Sequence, residues 1–184
     1  MAKTTGKEQK VGAKCVFTSS TDQNATIISI NDEFAKISGY SKDEMLGENH
    51  NIVRHPDMPK IIFDIMWDKL KDNKKFVGII KNRTKDNNYY WLVNEVSTLS
   101  KKDDGSKVYY AFKKAAPRRA VFHINSLYKK LLEQEKNGGL DASKVFLKDF
   151  LEFRHVTYDE YIETLLDAKG LLKGSFYMTR KIFS

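Results

Sequence analysis

Phe76, Ile80 and Asn82 fall at alternate positions in Phe76-Val-Gly-Ile-Ile-Lys-Asn-Arg83. In a strand they share one face. An amide beside an aromatic and an aliphatic wall can both donate and accept. The plainer use of the same amide is to tie down a loop. Upstream, Arg54-His-Pro-Asp-Met-Pro59 sets a cation, an imidazole and a carboxylate within four positions of a proline-flanked segment. These groups suit hydrogen bonding and ion pairing more than covalent chemistry. The sequence has no glycine-rich phosphate loop, no serine or cysteine nucleophile motif and no metal-ligand spacing. His50 and His55, five apart across an irregular stretch, are a weak metal signal. The pattern is that of a binding module, not an enzyme.

The elements that position these groups can be read from periodicity. Residues 14–19 and 25–30 read as two short strands around a polar turn. Asn31 is placed to cap a short helix that Gly39 closes, and Ser41-x-x-Glu44 has the spacing of a capping box. Asp57 and Pro59 read as the start of a helix continuing to Leu70, with Asp57 as its cap and Pro59 in its first turn. Its apolar positions 62, 65, 66 and 70 form a stripe broadened by Ile61, Phe63 and Trp67. From Lys75 the period changes to two, and three strands (75–83, 89–98 and 107–113) with polar turns predict an antiparallel meander. The fold class is α+β: a five-stranded antiparallel sheet with short helices gathered on one side. Pro117 marks a boundary, after which apolar spacing predicts a helix ending at Asn137-Gly-Gly139. A second helix opens at Asp141, and a third opens at the Thr157-x-x-Glu160 box and stops near Gly170. The expected organisation is a mobile tail over 1–13, a sensor domain over 14–116 and a helical extension over 117–184.

Composition narrows the class. With 184 residues the chain can bury a core, and 41 % hydrophobic with 30 % charged residues is ordinary for a globular protein. The net charge is +8, but the lysines stand in scattered pairs among acids, so a solvated surface is expected and nucleic acid is not. No apolar run approaches the roughly 18 to 20 residues that span a bilayer. The polar, basic first residues do not read as a secretory signal. The single Cys15 cannot form an intrachain disulfide. The expected location is cytoplasmic, without direct membrane insertion.

Asn51-Ile-Val-Arg-His-Pro-Asp-Met-Pro-Lys60, Met66-Trp67 and Gly78-Ile-Ile-Lys-Asn-Arg83 closely resemble the PAS domain of the Aer aerotaxis receptor family. Asn31-Asp32, Ser38-Gly39-Tyr40 and Tyr90-Trp91 fit the same pattern, and the resemblance covers roughly Lys14 to Ala116. It implies a PAS fold holding FAD non-covalently and reporting redox state to the chemotaxis machinery. The match is closer to bipartite energy-taxis systems, in which a soluble CetB-like PAS protein works with a separate membrane chemoreceptor of the methyl-accepting type. Self-association as a homodimer is a further expected partnership. The resemblance implies a cofactor set of Arg54, His55, Asp57, Trp67, Phe76, Asn82 and Asn31. Arg54 would meet the diphosphate or an electron-rich flavin edge, and Asn82 the carbonyl and imide groups. Asp57 would hold Arg54, accept from a ribose hydroxyl or cap its helix; His55 would bond the cofactor or a nearby carbonyl. Phe76 stands where the family commonly has tryptophan, which removes an indole donor and stacking area. Trp67 reads as core packing more than as a replacement stacking partner. The alternative is a PAS scaffold or dimerisation module whose pocket is empty, takes another small ligand, or binds haem through His50 or His55.

Overall fold

Five segments rich in β-branched and aromatic residues form one antiparallel sheet: β1 (Val16–Thr21), β2 (Ile27–Ile30), β3 (Phe76–Arg83), β4 (Tyr89–Lys101) and β5 (Lys107–Ala115). The order across the sheet is β2-β1-β5-β4-β3. β3, β4 and β5 are the expected meander, and β5 closes onto β1 with Phe17 opposite Lys113 and Ser19 opposite Ala111. The computed structural model describes residues 6–101 and 105–167. The chain divides into two compact units, Met1–Ala116 and Pro117–Ser184.

Between β2 and β3 run α1 (Asp32–Ser38), α2 (Lys42–Met45), a single 3-10 turn (His50–Val53) and α3 (Lys60–Lys71). Helices this short depend on tertiary packing and good ends. Asn31 caps α1 by accepting from the Phe34 amide at 3.1 Å, and Gly39 ends it at φ 75°. The Ser41–Glu44 capping box of α2 is formed in both directions. α1 packs on β1, and α3 on β3 and β4. Under α1 and α2 the space is filled by Phe17, Ile27, Phe34, Met45, Val53, Tyr90 and Leu92.

Two expectations need correction. Pro59, not Asp57, occupies the N-cap position of α3, and no side chain caps that end. The expected tail over 1–13 is tied down where it is described. Gln9 N donates to Tyr89 O at 2.7 Å, and Tyr89 N donates to Lys7 O at 3.1 Å.

In the second unit, α4 (Arg118–Glu152) is interrupted at Gly138 and Gly139, whose backbones are not helical. Gly139 takes φ 72°, a conformation that favours glycine. The expected first and second helices are therefore the two halves of α4. α5 (Tyr158–Leu166) starts at the Thr157–Glu160 capping box, also formed in both directions. The expected stop near Gly170 lies outside the described residues. Among the described residues no helix is long and apolar enough to cross a membrane.

Candidate functional site

Where α1 and α2 fill the inner space, α3 leaves it open. A cavity of about 160 Å³ lies between α3, the 3-10 turn and the inner face of the sheet. α3 contributes Phe63, Met66, Trp67 and Leu70, which share one helical face at spacings of three and four. The sheet contributes Ile80, Asn82, Asn94, Val96, Tyr109 and Ala111, all inward positions of a two-residue period. Trp67 meets Tyr109 edge to face, with ring centres 5.5 Å apart.

Two polar atoms in this wall are unsatisfied. Asn82 is 3 % exposed and its Nδ2 has no hydrogen-bond partner; Asn94 is 8 % exposed and its Oδ1 has none. Buried polar atoms almost always find partners, and each one left without costs about 1–3 kcal/mol. One unmet donor and one unmet acceptor on adjacent strands of one cavity are a ready set of ligand contacts. The Tyr90 hydroxyl, across from Asn82 in the β3–β4 register, is also buried without a well-formed bond. Burial raises its pKa, opposed by the Asn82 side chain.

The Arg54–Asp57 segment is split by the edge of β3. Arg54 forms an isolated backbone bridge with Asn82 and its side chain reaches the cavity. There its guanidinium lies over the Phe63 ring, 4.2 Å from the centroid, and donates to Met58 O at 3.2 Å. His55 and Asp57 stand outside the lining residues, with Lys81 and Tyr89. Lys81, adjacent to Asn82, points to the opposite face of the strand. Its Nζ is 2.8 Å from Asp57 Oδ2 and 4.3 Å from the centre of the Tyr89 ring. His55 Nδ1 accepts from the Asp57 amide at 3.0 Å, and its ring meets Tyr89 edge-on. Burial, helped by the Lys81 charge, pushes His55 down to about 4, so it is neutral at pH 7.

Of the seven residues expected to hold a cofactor, the structure thus brings Arg54, Trp67 and Asn82 together in the cavity wall. Phe76 shares the inner face but is fully buried and outside the lining set. Asn31 also lies outside the lining set. Besides capping α1, it accepts from Thr18 N at 3.1 Å and donates to Val16 O at 2.8 Å, joining helix to strand. The expected set did not include Asn94, Ser19 and Lys113. Their signal was available: in 89–98 and 107–113 the inward phase set by Leu92, Val96 and Ala111 also takes Asn94 and Lys113. Ser19 holds the matching inward phase of β1, beside Phe17 and Thr21.

The family model described as "PAS fold" matches residues 27–113. The aerotaxis receptor of Escherichia coli (strain K12) is 38 % identical over 114 residues, 61 % of this chain and 22 % of that protein. The bacterioopsin transcriptional activator of Halobacterium salinarum is 28 % identical over 92 residues, 50 % of this chain and 14 % of that one. The chain therefore spans less than a quarter of the length of either relative. Among solved structures, a PAS domain from Colwellia psychrerythraea superposes with TM-score 0.51 at 19 % identity, covering 56 % of this chain and 88 % of that one. A light-oxygen-voltage domain studied with a flavin analogue gives TM-score 0.50 at 19 % identity, covering 68 % and 89 %. The sheet and helices of the first unit have the PAS fold.

Proposed function

We propose that this chain is a FAD-binding PAS sensor that reads redox state and passes it to a membrane chemoreceptor through protein contacts. One observation carries the reading: the Asn82 donor and the Asn94 acceptor stand buried and unpartnered in an apolar cavity of a PAS domain. The aerotaxis receptor relationship, at 38 % identity, supports the same class of signal. The residues suit a flavin. Asn82 and Asn94 offer a donor and an acceptor to its polar ring edge, Trp67 and Tyr109 offer aromatic walls, and Arg54 is a cation for the diphosphate. The enclosed volume takes part of a tricyclic ring, so the remainder of FAD would extend through the open side.

Bound flavin would supply reversible electron uptake. The chain's own part is to orient it and to register the change. An amide can present its donor or its acceptor, so Asn82 can follow a change in what the ligand edge offers. Its backbone is bridged to Arg54, which places any adjustment of Asn82 at the point where the α3 approach loop joins the sheet edge. Such a two-state element is what a sensor needs. In the second unit, Phe122, Val145 and Phe153 are exposed and available as contact surface.

Haem fits less well. His55 is outside the cavity wall, and His50, which is in it, has Nε2 3.3 Å from Ser19 Oγ. The test is the visible spectrum of freshly purified protein before and after dithionite, with mass spectrometry of the released group. Flavin bands that bleach, with FAD released, are expected. A colourless protein that FAD cannot reconstitute refutes the proposal.

A further inference from the structure

Lys113 sits on the inner face of β5 in the cavity wall and is 0 % exposed. Its Nζ donates to Ser19 Oγ at 2.5 Å and lies 4.4 Å from the centre of the Phe34 ring. Phe17 and Ser19 flank it from β1, Asn94 stands beside it on β4, and His50 faces it from the 3-10 turn. Buried lysines ordinarily have a carboxylate partner. Here none is found among the described residues. The charged side chains of the wall are Lys113 and Arg54, and no acidic residue lines it. His50 adds no charge of either sign: burial and the Lys113 charge push it down to about 3, so it stays neutral. The cavity therefore has a positive wall and an unmet acceptor, Asn94 Oδ1, on the residue paired with Lys113 across β4 and β5.

We propose that Lys113, steered by Ser19, is the charge-selective pole of this cavity and binds the negative or proton-poor edge of a flat aromatic ligand. This rests on reading the cavity as a ligand pocket, but not on the ligand being a flavin. It assigns an end to the site: the electron-rich edge of the ligand goes toward β1 and β5, and Asn82 meets its other polar groups along β3. Burial holds the Lys113 ammonium down to about 7, so near neutrality the proton is only partly retained. A negative group beside it favours the charged form and draws the proton back. Binding of an anion above pH 7 thus brings a proton with it.

The test uses the full chain freed of ligand and two probes of equal shape, 2-naphthoate and 2-naphthalenemethanol, with affinities read by calorimetry. Naphthoate is expected to bind at least tenfold more tightly than the alcohol at pH 6. That preference should shrink as the pH is raised from 7 to 9, a range in which His50 stays neutral and Arg54 stays charged. Lys113→Met should abolish the preference at every pH while the protein still melts cooperatively. Lys113→Arg, always charged, should keep it at pH 9. Equal binding of both probes, binding of neither, or a preference that survives in Lys113→Met overturns the proposal. FAD titrated into the same samples separates the two readings. Naphthoate selectivity without FAD binding removes only the flavin, and FAD binding without selectivity removes only the role of Lys113.

Discussion

Lys81 and Asn82 are neighbours on one strand, yet they point into opposite environments. On the outer face Lys81 has Asp57 and the Tyr89 ring, and His55 accepts from the Asp57 amide, with its buried Nε2 the one atom of the cluster left unmet. On the inner face Asn82, Asn94 and Lys113 are as deeply buried, but the two amides each leave an atom unmet and the lysine has no acid among the described residues. A folded chain tolerates unmet polar groups at a real cost. The outer pairs hold the loop to the strand, while the unmet amide atoms of the inner face line a cavity and are open to a ligand. The comparison is sharp because removing polar groups should have opposite effects on stability on the two faces.

The largest expected effect is at Lys113. Its ammonium titrates at about 7 when folded, against an ordinary value of 10.5. Between those values the unfolded chain holds a proton that the folded chain lacks, so stability rises with pH from 7 toward 10.5. The full cost is present below pH 7, and most of it remains at pH 7. Lys113→Met should therefore stabilise the ligand-free protein by about 3 kcal/mol at pH 7, with the gain shrinking toward pH 10. Urea melts at both pH values measure it, and a destabilised variant would break the comparison. Next comes His55, whose folded pKa of about 4 lies below its ordinary 6.5. Its contribution is complete above pH 6.5 and lost as the pH falls through the window down to 4. Acidification from pH 7 to 5 should cost the wild type about 2 kcal/mol more than it costs His55→Phe.

Much of the fold was legible in the sequence because its signals are local. Alternation marked the strands, Asn31 and the Ser41 and Thr157 boxes marked helix starts, and the Gly138-Gly139 pair marked the break in α4. The site was less legible. Arg54, Trp67 and Asn82 were read as cofactor residues and line the cavity. His55 and Asp57 were read with them and lie elsewhere, because the segment wraps the edge of β3 and adjacent residues end on opposite faces. No local pattern states where a loop crosses an edge. Asn94 and Lys113 lie outside the expected set although their inward phase is readable. A polar residue at an inward position looks like an interruption of the core until the neighbouring strands show that a cavity lies above it.

Asn82→Leu separates binding from stability on the inner face. It replaces an unmet buried amide with an apolar side chain of similar size, so stability should stay within about 1 kcal/mol of wild type or rise. FAD affinity should fall about 10- to 100-fold, the loss of one buried polar contact. Fluorescence titration beside a urea melt gives both numbers, and an unchanged affinity removes Asn82 from the site.

The smallest effect is the outer-face counterpart. Asp57→Asn leaves Lys81 with aromatic neighbours but no carboxylate. The Asp57 side chain is 55 % exposed, so solvent screens the pair and the loss should be about 1 kcal/mol, smaller at high salt. FAD affinity should stay within about threefold, since Asp57 is not in the wall and a 1 kcal/mol change of global stability leaves the folded fraction near one. Asp57→Asn and Asn82→Leu then form a crossed pair, one losing stability and keeping ligand, the other the reverse. A tenfold loss of FAD affinity in Asp57→Asn at unchanged stability would mean that the loop carries the outer cluster into the site. The edge of β3 would then be a hinge between the two faces and not a partition.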